Sequence, residues 1–147
     1  RIAAGGGSAG GHLAAATATV EDWNDPSDPG VSCRPDALLL FNPAVDNSPE
    51  GYGHNRIGEA WPRFSPLHNI GPDTPPALFL IGDRDNLIPV ATAQRFRRSV
   101  ETAGARCELR IYEDAGHGFF NSEPFRSRTT QAAVDFLESM DWIPAPP

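Results

Sequence analysis

Ser8 sits in Gly6-Gly7-Ser8-Ala9-Gly10, a G-x-S-x-G in which a single hydroxyl is flanked by glycines. A short apolar run precedes it and an alanine-rich stretch of high helix propensity follows, so the pattern falls at a strand-to-helix junction, the context that gives it chemical meaning. A sharp turn there projects the hydroxyl outward, and only residues without bulk let strand and helix approach so closely. The helix N-terminus also aims backbone N–H groups at an anion forming beside Ser8, with the Ala9 amide as the first donor. Further along, Asp85 closes the cluster Gly82-Asp83-Arg84-Asp85, and His117 stands in Ala115-Gly116-His117-Gly118-Phe119. A hydroxyl, a carboxylate and an imidazole in this chain order are the parts of acyl transfer. The imidazole takes the serine proton, the serine attacks a carbonyl, and the carboxylate orients the imidazole.

The elements that must position these groups are legible from the apolar pattern. The start of the chain reads as strand, tight turn and helix; a Pro/Asp/Ser-rich loop from Asp22 to Asp36 follows. Ala37–Phe41 and Ala77–Ile81 are short continuous apolar runs bounded by breakers, as strands buried on both faces are. The stretch from Asn42 to Pro76 has no sustained period and reads as an excursion with one short helix near Ile57–Trp61. Ala93, Phe96, Val100 and Ala103 line one face of a helix that Gly104 ends. "CELRIY" alternates as a fourth strand near a sheet edge, and a last helix from about Pro124 to Met140 buries Ala133, Phe136, Leu137 and Met140. Strands alternating with helices predict an α/β fold, a parallel sheet with helices on both faces, in which ligands gather at the carboxyl ends of the strands. The Ser8, Asp85 and His117 segments each follow a different strand.

Composition narrows the chemistry. The chain has 147 residues, the size of one domain, with 39% hydrophobic residues and a net charge of −7. No basic run offers a footprint for nucleic acid or an anionic membrane surface, and no stretch is long and apolar enough for a membrane span. All 12 basic residues are arginine, which excludes a Schiff-base lysine, a Ser/Lys dyad and a P-loop lysine. Cys33 and Cys107 form neither a metal quartet nor a CxxC pair and read as free thiols. The site residues ask for no cofactor and no metal. The chain opens on Arg1 without a methionine and with structure-forming sequence at once, which points to a fragment or a processed chain.

On these residues the sequence resembles the α/β-hydrolase superfamily, and within it the bacterial acetyl esterase/lipase-like enzymes that carry "GGSAGGH" at the elbow, "G-x-x-D-x-L-[IV]-P" after the next-to-last strand and "GHGFF" before the last helix. The resemblance runs from Arg1 to Trp142 and takes in "FNPAVD" and "FSPLHNI". It implies Ser8 as nucleophile, Asp85 as orienting acid and His117 as general base. Asp83 stands where such enzymes commonly have Thr, and Asp114 where Gly is common, so Asp83 remains a rival acid. Enzymes of this kind usually have a first half with four more strands and an HGG-type loop that supplies a second oxyanion donor; nothing here corresponds to it. The resemblance is therefore to the second half of such an enzyme, a truncated α/β-hydrolase fold forming a single domain over residues 1–147. By the same analogy four strands lie side by side and the Arg1–Gly5 strand becomes an edge, which invites either homodimerisation through that edge or pairing with a missing N-terminal half. One absent oxyanion donor costs about 10²–10³ in rate.

The reading that follows is a serine carboxylic-ester hydrolase for small-molecule esters. The glycine-lined elbow and the absence of a long apolar lid point to small acyl groups such as acetyl, with Gly7 and Phe119, and Phe120 beside it, as candidate pocket walls; the resemblance adds sugar-bound acetyl esters. A non-catalytic or partner-dependent fragment with an inherited triad is the main rival. Gly5-x-Gly7-x-x-Gly10 also matches a dinucleotide fingerprint, yet "DPSDPGVSC" cannot be the second strand that reading needs. A prolyl-oligopeptidase-type peptidase shares these signatures but needs a further specificity domain. His12, His54 and His68 read as packing or loop residues, and Trp23, Trp61 and Trp142 as core or rim.

Overall fold

The computed structural model describes residues 1–20 and 24–144; Trp23 lies outside them. Four strands, β1 (Ala3–Gly7), β2 (Ala37–Phe41), β3 (Ala77–Gly82) and β4 (Cys107–Tyr112), form one sheet in the order β1-β2-β3-β4 with every neighbouring pair parallel. The α/β reading holds, and so does the placement of β1 and β4 at the edges. The register aligns Gly7 with Phe41, Phe41 with Leu80, and Gly82 with Tyr112. All four strands therefore end on one side of the sheet.

Alternation along the strands sorts the core into two layers. Leu38, Leu40, Ala77, Phe79 and Ile81 meet α1 (Ala9–Thr19) and α3 (Val90–Thr102) through Ala14, Ala15, Ala18, Ala93, Phe96 and Val100. Ala37, Leu78 and Leu80 face the other way, onto Ala132 and Phe136 of α4 (Phe125–Glu138). β3 is buried along its whole length because helices cover both its faces and strands flank both its edges. The alanines of α1 let that helix lie close on β1 and β2, where larger side chains would hold it away.

Three local expectations shift. The short helix expected near Ile57–Trp61 is a 3-10 helix, Gly58–Arg63, and a single turn, α2 (His54–Ile57), precedes it and ends where Gly58 takes φ 58. In α4 the fully buried residues are Thr129, Ala132 and Phe136, with Ala133, Leu137 and Met140 half-buried. Thr129 escapes a hydrophobicity reading because its hydroxyl donates to Phe125 O at 2.8 Å, which satisfies the polar atom inside the helix. On β4, Cys107 and Tyr112 are buried whereas Ile111 is 47% exposed, as befits an edge strand.

The excursion between β2 and β3 is tied down by polar contacts. Ser65, fully buried, accepts from Asn47 N at 3.0 Å, donates to Val45 O at 3.2 Å and lies 2.8 Å from His68 Nδ1. Buried Asp46 pairs with Arg95 of α3 at 3.1 Å. Because Phe96 is fully buried and its ring meets Phe79 at 5.4 Å, Phe96→Ala should cost about 3–5 kcal/mol in urea unfolding, whereas Ile111→Ala on the exposed edge should change stability by about 0.5 kcal/mol or less.

Candidate active site

Each strand hands its carboxyl end to one part of the site. Directly after β1, Ser8 adopts φ 51 and ψ −113, a backbone conformation that costs a non-glycine residue about 1–3 kcal/mol. It is pinned from both sides: Ser8 N–H donates to Phe41 O at 3.0 Å, while Ser8 O accepts from His12 N at 3.0 Å and Ala44 N at 3.3 Å. The glycines around it are close-approach residues. A Cβ on Gly6 would lie 2.6 Å from Gly10 C, and one on Gly11 would lie 2.7 Å from Pro43 Cβ. A Cβ on Gly7 would run into the Phe120 ring. The first turn of α1 begins at Ala9, so its amides lack acceptors within the helix and point their partial positive charge toward the space beside Ser8.

His117 lies 109 residues from Ser8 in sequence, and its Nε2 is 2.8 Å from Ser8 Oγ. Its Nδ1 is 2.8 Å from Asp85 Oδ2. The Asp85 side chain is fully buried and the His117 side chain 19% exposed. Asp85 Oδ1 accepts from the amides of Leu87 and Ile88, both at 2.9 Å, which fixes the carboxylate in its turn. Asp83, the rival, is exposed, and its backbone N–H prolongs the β3–β4 ladder to Tyr112 O at 3.0 Å. The two loops that carry Asp85 and His117 are latched by Arg84 N–H donating to Ala115 O at 3.0 Å. A Cβ on Gly82 would collide with that same Ala115 carbonyl. The turn at Gly118, φ 78, lets the chain reverse straight after the imidazole.

Of the residues expected at the site, Ser8, Ala9, Gly7, Asp85 and His117 are brought together. Phe119 is not: its ring packs in the core at 8% exposure, 5.1 Å from Tyr112 and 5.5 Å from Phe125. Its neighbour Phe120 takes the position against Gly7, 5.3 Å from Phe41. Two consecutive phenylalanines on a 3-10 turn (Phe119–Asn121) cannot face the same way, and the sequence does not tell which one turns inward. A further residue escapes the sequence reading altogether. Asn42, directly after β2, is fully buried at φ 35, accepts from Gly118 N–H at 3.0 Å and places Nδ2 3.5 Å from His117 Nε2. The remaining histidines tie loops together: His12 Nε2 donates to Phe64 O at 2.9 Å, and His54 Nδ1 donates to Asn47 O at 3.1 Å.

Neither thiol joins the site. Both cysteines are free, and burial pushes the Cys107 thiol up to about 12, so it carries no thiolate at neutral pH. Among the described residues no group of three or more His, Cys, Asp or Glu side chains is arranged to hold a metal ion, and no helix is long and apolar enough to cross a membrane. A cavity of about 230 Å³ lined by Asp46, Tyr52, Leu87, Ile88 and Thr92 opens behind the Asp85 turn, on walls that do not include Ser8 or His117.

The profile of the dienelactone hydrolase family matches residues 52–143, a span that holds Asp85 and His117 and begins after Ser8. The chain belongs to the dienelactone hydrolase family. Among curated proteins, a putative carboxymethylenebutenolidase of Methylorubrum extorquens is 31% identical over 105 residues, 69% of this chain and 35% of that protein. An acetylxylan esterase of Xylanibacter ruminicola is 27% identical over 96% of this chain and 30% of its own length. Among solved structures, the apo form of Thermogutta terrifontis esterase 2 superposes with a TM-score of 0.87 at 37% identity, over 99% of this chain and 57% of that one. That esterase has also been solved with propionate bound, with butyrate bound and phosphorylated by paraoxon. This dienelactone hydrolase family chain thus spans about a third of the length of these curated relatives and somewhat over half of the esterase.

The glycines around Ser8 differ in what they touch. A Cβ on Gly10 meets nothing within 4 Å, whereas Gly6 abuts backbone. In chemical denaturation Gly6→Ala should therefore cost about 1–3 kcal/mol, and Gly10→Ala should leave stability unchanged or raise it by about 0.5–1 kcal/mol; the reverse ranking would mean that Gly10 is the close-approach residue.

Proposed function

We propose that this chain carries the Ser-His-Asp machinery of a carboxylic-ester hydrolase acting on small acyl esters. The observation that carries the reading is the continuous pair of 2.8 Å contacts from Ser8 Oγ through His117 to Asp85, set where helix amides converge. With Asp85 accepting at Nδ1, the proton of neutral His117 rests on Nδ1 and the Nε2 lone pair faces the Ser8 hydroxyl, a tautomer assigned from these partners. His117 then takes the Ser8 proton as Oγ attacks the ester carbonyl. The oxyanion gathers at the Ala9 amide, the imidazolium gives its proton to the leaving alcohol, and His117 next activates water against the acyl-enzyme.

Three observations bear on the substrate. Gly7 brings the Phe120 ring up to the elbow, which limits the space next to Ser8. A solved relative at 34% identity holds propionate, and another relative is an acetylxylan esterase. Acetyl to butyryl esters, sugar acetates among them, are the class we assign.

The edge at β1 bears on partners. Among the described residues β1 pairs on one side alone, with Ile2 70% and Leu13 of the adjoining helix 66% exposed. Further polypeptide against this edge, from a second copy or from sequence corresponding to the rest of the longer relatives, would cover these side chains and stand where a second oxyanion donor is needed.

Hydrolysis of p-nitrophenyl acetate, followed from pH 5 to 9 and over a range of protein concentrations, tests the proposal. The rate should fall by about 10³-fold or more in Ser8→Ala and should rise from acid toward neutral pH, because a protonated imidazole cannot act as the base. Specific activity should increase with concentration where a second copy completes the site. Equal rates for the two proteins, or a flat pH profile, would overturn the reading.

A further inference from the structure

The carboxyl end of β2 contributes no member of the Ser-His-Asp set, yet it presents the most buried polar side chain near it. Asn42 is fully buried and held with φ 35, in the left-handed region. Its backbone N–H donates to Leu80 O at 2.7 Å, so the residue hangs from β3 as well as following β2. The orientation of its amide is decided by one partner. The Gly118 N–H, 3.0 Å away, needs an acceptor, so Oδ1 points to it and Nδ2 faces His117 Nε2 at 3.5 Å.

We propose that Asn42 is the positioning residue for His117: Oδ1 clamps the turn that carries the imidazole, and Nδ2, a donor, faces Nε2 and favours its neutral, proton-accepting form. The proposal rests on the ester-hydrolase reading for its consequence but not for its test. A donor beside Nε2 opposes a proton arriving there, because the N–H of the imidazolium and the N–H of the amide would face one another. The same opposition helps the imidazolium release its proton to the leaving alcohol. Holding Gly118 matters independently, since the glycine at φ 78 permits more conformations than other residues and its amide contact restricts them.

The charged groups around the imidazole are few. Asp85 faces Nδ1 from the turn after β3, and the hydroxyl of Ser8 faces Nε2 from the elbow. Arg84 and Asp114, on the adjoining loops, pair with one another at the surface, and Asp83 and Glu113 are exposed. The elements behind His117 present Phe119 and Phe120, which carry no charge. A charge introduced at residue 42 therefore acts on Nε2 with little competition.

Asn42→Asp is the informative change, because it keeps the size and the Oδ1 acceptor and replaces only the donor. The histidine Cε1–H signals of the full chain are titrated by NMR, with His117 assigned through His117→Gln. In parallel, paraoxon labelling of Ser8 is timed by mass spectrometry across pH. Asn42→Asp should raise the His117 midpoint by about 1–3 pH units and carry the acid limb of Ser8 labelling upward with it. Asn42→Ala, which removes both contacts, should slow labelling by about tenfold or more with the adduct still on Ser8. A His117 midpoint that Asn42→Asp leaves in place would overturn the proposal, and this variant decides the matter even if Asn42→Ala does not fold. Were the parent chain to show no Ser8 adduct at any pH, the ester-hydrolase reading would fall while the midpoint comparison still judged Asn42.

Discussion

A serine held at φ 51 does not keep that conformation by its own preference. The strain is contained because the residue is gripped on both of its backbone polar groups. Its N–H is taken by Phe41 O, and its carbonyl by the amides of His12 and Ala44. Each grip belongs to a different element: the neighbouring strand, the helix that follows, and the loop after β2. Removing the tightness of any one would let the turn relax and carry the hydroxyl away from His117. The bare glycines, the alanines on the inner face of α1 and the placement of Pro43 against Gly11 all serve this closeness. They are consequences of one geometric demand more than separate features.

The parallel sheet converts that local demand into a site. Because the four strands run the same way in register, residues far apart in sequence leave the sheet on the same side, each within reach of the next. The loops are then joined across strand ends by backbone contacts, from Ser8 to Phe41, Asn42 to Leu80 and Arg84 to Ala115. Every neighbouring pair of strands has such a link. The side chains that meet at the site are short, a serine, an imidazole and an aspartate, so their meeting depends on this alignment and not on reach.

Much of this was legible in the sequence, and the reasons are specific. Ala37–Phe41 and Ala77–Ile81 announced themselves because a strand covered on both faces has no polar positions to blur it. The glycines around Ser8 and the turn cluster around Asp85 are local signals, readable without knowing what lies beside them. Asn42 was not readable, since an asparagine after a strand looks like any turn residue and its meaning comes from Gly118, 76 residues away. Phe119 and Phe120 could not be told apart for a similar reason: which ring turns inward is set by the space between Tyr112 and Phe125. Asp83 stayed a rival to Asp85 in the sequence because the end of β3 is not marked there; the ladder runs far enough to leave Asp83 exposed.

The sheet order also distributes protection unevenly among the three groups. Asp85 hangs from β3, the strand enclosed on every side, while Ser8 hangs from β1, which among the described residues pairs along one edge only and leaves Ala3 and Gly5 exposed. Partial opening of a protein begins where buried contacts are fewest. Fraying of β1 would withdraw the hydroxyl while the imidazole and its carboxylate stayed together in an otherwise folded molecule. The integrity of the Ser8 turn and the integrity of the domain are thus different quantities, and a polypeptide packed against the outer edge of β1 would govern the first far more than the second.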